Sequence, residues 1–486
     1  DLVVANPPYQ GTSKMAEAKY IEQQYPLGKA DLYAAFLLRG LELVREGGVS
    51  AMLTIRSWLF IKQYAGLRER ALAQHYLHAL HDLASGAFEE INPAQIVVSV
   101  AASVFFRALA GTTATALRVF STDTVTHPGE TSRKRAASLC HERAAVFRPH
   151  LLRVVPEWPL VYWWHETELS AFDGRLVTIA DVHRVRQGLA TGNDKRFLLR
   201  PWEPQLGCIF IARPSSESRT KAVQSSCHWQ PYIKGAGGKQ WFEPLDDVIS
   251  WARNGLNKKV YSDVYGTRGG NGTPSEDSYF AGGVAYCTIG SHFSGRFHRY
   301  ASIYSSKGCT VFGNDLDHVC SLFNSSRARR ILADLNPTID FTATDVARLP
   351  IVAIPDAQAI KAEIEAAFTA HESHREPSVE FRRPGPSPWR HAQEWAQLAV
   401  DRPEGEPLPE YVEELDPEPA TDHLSYALGV ALGRFGPGGE GILDPATADL
   451  SHGLPGGILF LDRTLDGNGT DVEHDSLFHS ACQPLH

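Results

Sequence analysis

Four consecutive residues near the start of the chain, Asn6-Pro7-Pro8-Tyr9, carry groups suited to one demanding reaction. An exocyclic amine on a heterocyclic base is a poor nucleophile, because its lone pair is delocalised into the ring. To attack a methyl group, the nitrogen must move toward a tetrahedral shape with its lone pair aimed at the methyl carbon. Two acceptors, one on each N–H, favour that shape. The Asn6 side-chain oxygen is one such acceptor and the Pro7 backbone carbonyl the other. Two successive prolines restrict the backbone and keep both acceptors in register. Tyr9 adds a ring against which a flat base can stack. A base in a duplex reaches such a site only by rotating out of the helix, at a cost of roughly a few kcal/mol. Alignment in a water-poor pocket would then supply much of the acceleration. The same four residues also suit a rigid turn, so the neighbouring sequence has to discriminate.

The elements around the tetrapeptide favour chemistry. Asp1-Leu2-Val3-Val4-Ala5 reads as a buried strand, which puts Asn6 at a strand's carboxyl end, where open α/β sheets place their ligands. From Lys29 to Glu46 the apolar residues Leu32, Tyr33, Phe36, Leu37, Leu41 and Val44 recur at helical spacing, and Gly47-Gly48 closes the helix. Val49 to Ile55 reads as a buried strand, Tyr64 to His75 as a second helix, and Ile96 to Phe106 as a further strand. The expected fold is α/β, part of a Rossmann-like sheet with helices on its faces.

Beyond this the texture changes. Residues 112–175 read as a connector with some helix. Residues 176–352 combine short strands with many Gly, Ser, Asn and aromatic residues, the composition of a mixed, turn-rich α+β domain. The region 353–486 reads as a helix over Ala357–His371, a Pro- and Glu-rich linker over 375–420 and an acidic end. The expected divisions are therefore 1–111, 112–175, 176–352 and 353–486. Net charge is −9, split unevenly: residues 401–486 hold three basic and 17 acidic residues, the remainder 44 and 39. A mildly basic body is compatible with nucleic acid. Seven scattered cysteines without a Cys-x-x-Cys pair argue against a metal site or a disulfide framework and for a reducing cytoplasm. No apolar run approaches the roughly 20 residues that span a bilayer. The absence of an initiator Met and the opening on a strand suggest a piece of a longer protein.

With these residues in view, the chain resembles the amino-methyltransferases of the γ order. Asp1 to Tyr9 is similar to their catalytic loop motif, and Ala30-Asp31-Leu32-Tyr33-Ala34-Ala35-Phe36 to the motif that follows it. Arg186-Gln187-Gly188-Leu189-Ala190-Thr191-Gly192-Asn193-Asp194 and Leu335-Asn336-Pro337-Thr338-Ile339-Asp340-Phe341 resemble segments that open and close the recognition region of large single-chain enzymes. Those enzymes include the BREX phage-defence methyltransferases and fused restriction–modification enzymes. Ser425 to Gly441 also resembles a late stretch of the BREX enzymes.

The resemblance implies adenine-N6 methylation of double-stranded DNA with S-adenosylmethionine, with other phage-defence proteins as partners. Asn6, Pro7, Pro8 and Tyr9 would be catalytic. Asn6, Asp31 and Phe36 would border the donor, with most of its pocket upstream of Asp1. A cytosine-N4 enzyme needs the same acceptor geometry, and a DNA-binding fragment without a donor pocket is the non-enzymatic alternative. Residues 176–352 would read the DNA target. Their candidate contacts are Arg184, Arg186, Lys195, Arg196, Arg253, Lys258, Lys259, Arg268, Arg296 and Arg299.

Overall fold

Six strands build the first sheet: β1 (Leu2–Ala5), β2 (Val49–Ile55), β3 (Tyr76–Ala84), β4 (Val100–Phe106), β5 (Ala114–Arg118) and β6 (Ala144–Phe147). They belong to a computed structural model that describes residues 1–88, 98–108, 110–119, 130–170, 172, 177–204, 206–235, 237–265, 273–290, 292–336 and 341–431. The chain divides into two units, residues 1–177 with 331–338, and residues 178–330 with 339–486.

In the first unit the sheet order is β1-β2-β4-β3-β5-β6. β1 pairs with β2 in parallel, whereas β4 is antiparallel to both β2 and β3. The sheet is therefore mixed. β2 keeps the bounds its apolar run predicts, and Ser50, Met52 and Thr54 are buried along it. The helix Leu32–Leu43 packs on β2 and buries Tyr33, Ala34, Ala35, Leu37, Leu38 and Leu41. Gly40 permits this close approach, since a Cβ there would meet Ser50 Oγ at 2.8 Å and Met52 Cε at 2.1 Å.

Three expectations need correction here. β1 is a strand but not a buried one: it lies at the sheet edge, with Leu2 66% and Val4 68% exposed. Its apolar run signals the strand correctly, yet among the described residues only β2 pairs with it. The segment 112–175 is more than a connector, because β5 and β6 extend the sheet beyond residue 111. The sheet also contains β3, which the apolar pattern does not announce. Residues 331–336 return to this unit, where the Asp334 carboxylate accepts from the indole N–H groups of Trp163 (2.9 Å) and Trp164 (2.7 Å).

The second unit holds two four-stranded sheets. One has the order β13 (Ile303–Tyr304), β9 (Trp229–Ile233), β10 (Asp247–Ser250), β8 (Leu198–Leu199). The other has the order β12 (Gly295–Phe297), β11 (Val284–Tyr286), β14 (Thr310–Phe312), β7 (Arg184–Arg186). Their core is largely aromatic, with Phe197, Tyr232, Trp251, Tyr279, Tyr304 and Phe312 in one cluster. The Arg186–Asp194 motif has a local explanation. Gly188 lies so close to Tyr304 that a Cβ would sit 1.9 Å from its carbonyl oxygen, and Gly192 adopts φ +73°. Asn193 then caps a short helix that buries Phe197. Residues 178–179 and 349–350 lie side by side, joined by the Ile179 N–H donating to the Leu349 carbonyl (3.0 Å).

Residues 375–420 are not an irregular linker throughout. They contain the helix Trp389–Asp401, which buries Ala392, Trp395, Ala396, Ala399 and Val400. Prolines 384, 386 and 388 before it and 403, 407 and 409 after it mask its apolar spacing in the composition. The chain after it runs back over the helix: Trp395 donates to the Pro409 carbonyl (3.0 Å) and packs against Tyr411. The helix expected from Ala357 runs to His374. Residues 266–272 and 432–486 lie outside the described residues. Among the described residues, no helix is long and apolar enough to cross a membrane, and no His/Cys/Asp/Glu cluster could hold a metal.

Burial of His298 yields a prediction about pH. Its ring nitrogens lie 3.1 Å from the Ala281 carbonyl and 3.2 Å from Thr310 Oγ1, and desolvation pushes its pKa down to about 4. The unfolded chain takes up this proton near pH 6.5, whereas the folded chain resists until about pH 4. Stability from this group is thus present above pH 6.5. It falls by about 1.4 kcal/mol per pH unit as the pH drops through that window. Denaturation of wild type and His298→Gln at pH 7 and pH 5 should show a smaller loss in the variant; equal losses would contradict the assignment.

Candidate active site

Chain direction gathers the site. β1, β2 and β3 all run the same way, because β4 opposes both β2 and β3. Their carboxyl ends therefore share one end of the sheet, and the residues that follow them are Asn6–Tyr9, Arg56–Ser57 and Ser85–Phe88.

Within the tetrapeptide, Asn6 and Pro8 are exposed, Pro7 is buried and Tyr9 half-buried. The Tyr9 hydroxyl donates to Asn6 Oδ1 at 3.0 Å and lies 3.4 Å from the Leu53 carbonyl at the end of β2. Burial raises the Tyr9 pKa, so the phenol stays protonated as a donor. An amide oxygen has two lone pairs, so the Tyr9 bond orients Asn6 and leaves it one further acceptor site. Among the described residues, no donor occupies the Pro7 carbonyl. The Tyr9 ring meets Tyr33 edge-on, with centroids 6.2 Å apart and an interplanar angle of 88°. Tyr33 is buried and its hydroxyl lies 3.1 Å from Ser57 Oγ. The loop thus rests on the Leu53 backbone carbonyl of β2 and on the Tyr33 ring of the helix Leu32–Leu43.

Asp31 is the N-cap of that helix. Its Oδ1 accepts from the backbone N–H of Gln10 (2.9 Å) and of Tyr33 (3.4 Å), and burial raises its pKa against those hydrogen bonds. Phe36, one turn into the helix, is 39% exposed while Tyr33, Ala34, Ala35, Leu37 and Leu38 are buried. Packing in the core does not account for it. Its ring is available to stack on a flat heterocycle, which suits the adenine of a nucleoside donor.

A buried ion pair underlies this end of the sheet. Arg56 Nε donates to Asp82 Oδ1 at 2.7 Å, and the Tyr162 hydroxyl donates to Asp82 Oδ2 at 2.9 Å. The Arg56 guanidinium also lies 4.9 Å from the Phe60 ring centroid. Sequence reasoning missed both this pair and Phe88. Phe88 is a half-buried aromatic just past β3, at the same end as Asn6. Its signal, an aromatic shortly after a strand, acquires meaning only once the direction of β3 is known.

The second unit sorts the ten basic residues singled out by sequence. Lys258, Arg296 and Arg299 are buried; Arg296 pairs with Glu243 (3.1 Å) and Arg299 with Glu380. Lys259 pairs with Glu276 (2.9 Å) and Arg186 is half-buried. Arg184, Lys195, Arg196 and Arg253 are exposed, with Arg196 over the Tyr261 ring. Arg268 lies outside the described residues. Arg253 opens three successive left-handed residues, Arg253, Asn254 and Gly255, braced by Trp251 donating to Asn254 Oδ1 (3.3 Å).

Several known proteins are similar to this chain. Residues 1–88 match the family described as Eco57I restriction-modification methylase. The chain is 29% identical over 377 residues to the adenine-specific methyltransferase PglX of Lacticaseibacillus casei (strain Zhang), covering 72% of this chain and 29% of that protein. It is 24% identical over 361 residues to the adenine-specific methyltransferase BrxX of Escherichia coli O9:H4 (strain HS), covering 72% and 28%. The type IIL restriction-modification enzyme MmeI in complex with DNA is a similar solved structure, with a TM-score of 0.47 and 14% identity, covering 84% of this chain and 55% of that one. The chain is thus similar to the methyltransferases of restriction-modification systems. Its likeness within that class is to the adenine-specific methyltransferases of the PglX and BrxX kind, and it spans under a third of their length.

Proposed function

We propose that this chain is part of a site-specific DNA methyltransferase that transfers a methyl group from S-adenosylmethionine to adenine N6. The observation that carries the reading is the Asn6–Tyr9 loop. It stands at the carboxyl ends of parallel strands with the Asn6 amide exposed and oriented by Tyr9. The adenine specificity of both relatives, PglX and BrxX, favours adenine over cytosine. In this reading residues 1–177 hold the acceptor side of a class I methyltransferase sheet. Residues 178–350 recognise the DNA target, with Arg184, Lys195, Arg196 and Arg253 as exposed cations for phosphates or base edges. Partners within a phage-defence system, and a place in the cytoplasm, belong to the same proposal.

The chain's own groups would act as follows. Asn6 Oδ1 and the Pro7 carbonyl accept the two N–H bonds of a flipped base. Their dipoles face the positive charge that grows on nitrogen as its lone pair leaves the ring. Once methylated, the nitrogen carries a positive charge and loses one of its two original protons to solvent water. Tyr9 stacks on the base, and Phe88 is the candidate for its other face. Phe36 would hold the adenine ring of S-adenosylmethionine, which when bound supplies an electrophilic methyl group.

Sequencing DNA from cells that carry the parent protein should reveal N6-methyladenine at one motif; unmodified adenine throughout would refute the proposal. Tyr9 separates two contributions. Tyr9→Phe keeps the ring but loses the hydrogen bond to Asn6, and single-turnover methylation should slow about three- to tenfold, the effect of about 1 kcal/mol. Tyr9→Ala should slow it further, since stacking on a base contributes about 1–3 kcal/mol. Equal rates for the two variants would rule out a role for the ring.

A further inference from the structure

We infer that Asp31 is a positioning residue that holds the Asn6–Tyr9 loop, rather than a contact for the methyl donor. The inference rests on the methyl-transfer reading above. A short antiparallel stitch joins the downstream end of the loop to the residues that start the helix Leu32–Leu43. The Leu32 N–H donates to the Gln10 carbonyl (3.0 Å), the Thr12 N–H to the Ala30 carbonyl (3.1 Å), and Thr12 Oγ1 to the Lys29 carbonyl (2.8 Å). Gly11 and Asp31 face each other in an isolated antiparallel bridge.

The Asp31 side chain completes this stitch at its most useful point. One oxygen, Oδ1, receives the Gln10 N–H, directly after Tyr9, and the Tyr33 N–H, in the first turn of the helix. The Tyr33 ring abuts the Tyr9 ring. Two routes therefore connect residue 31 to the tetrapeptide, one through the backbone of residue 10 and one through the side chain of residue 33. The acceptor must be an oxygen one methylene from the backbone. Asn keeps that oxygen, Ala removes it, and Glu carries it a further methylene away. Without it, residue 10 loses one of the restraints that keep the Asn6 and Pro7 acceptors in register. Misplacement of about 1 Å costs on the order of a hundredfold in rate.

The test uses the full parent protein with its DNA substrate. Asp31→Ala should lower kcat by about tenfold to a hundredfold and leave the KM for S-adenosylmethionine unchanged. Asp31→Asn should restore kcat. Hydrogen exchange of a peptide covering residues 6–12 should quicken in Asp31→Ala and return to the wild-type rate in Asp31→Asn. A raised KM for S-adenosylmethionine that Asn does not restore, or exchange unchanged in Asp31→Ala, would overturn the inference. A wild-type protein that fails to methylate would refute the function instead, and the exchange measurement would still decide whether Asp31 holds the loop.

Discussion

Asn6→Ala should reduce methyl transfer by about 10²–10³-fold, the effect of removing one preorganised dipole from a charge-developing centre. Folding stability should stay within about 0.5 kcal/mol of wild type, since Asn6 is exposed. Tyr9 fixes the Asn6 amide by a 3.0 Å hydrogen bond, so its oxygen is aimed before any base arrives. Alanine removes the acceptor and leaves the Tyr9 hydroxyl with the Leu53 carbonyl at 3.4 Å. Transfer of labelled methyl to a duplex containing the target motif, measured in a single turnover, reads the effect directly. Binding of the duplex should change far less, because the exposed cations expected to contact DNA lie in the other unit. Undiminished transfer would remove Asn6 from the chemistry, whereas a matching fall in melting temperature would reduce its role to folding.

The largest effect on stability should come from Asp82→Ala, at about 3–5 kcal/mol. Asp82 is fully buried and Arg56 nearly so, and the substitution removes the carboxylate that accepts from Arg56 Nε. It also takes the acceptor from the Tyr162 hydroxyl. Desolvation makes such a pair costly to assemble, so its removal as a whole should be mild. The double variant Arg56→Met/Asp82→Leu should recover most of the loss. Urea denaturation followed by tryptophan fluorescence would test both, since Trp58, Trp158, Trp163 and Trp164 report on this unit. An Asp82→Ala variant as stable as wild type would show that the pair contributes nothing.

What sequence reveals here divides along physical lines. The bounds of β2 and the helix Ala65–Gln74 follow from local apolar spacing, because each buries a face built from its own residues. The helix expected from Lys29 starts only at Leu32, where Asp31 caps it. β3 escapes the same reasoning because His78, His81 and Asp82 interrupt its apolar pattern. Asp82 is tolerated there only because Arg56 comes from another strand's end. Arg299 looks like a DNA contact until Glu380, 81 residues away, is found against it. The tetrapeptide is legible as chemistry because its groups act together within four residues. Its supports at Leu53, Ser57, Asp31 and Tyr33 are brought in by the fold.

β1 has one consequence beyond catalysis. A strand at a sheet's edge offers a row of backbone donors and acceptors to any extended segment nearby, and exposed apolar side chains add adhesion. Leu2 and Val4 supply that adhesion beside an edge that no described residue covers. An extended segment that pairs along β1 would bury both side chains and continue the sheet. Charged residues at positions 2 and 4 would weaken any such pairing.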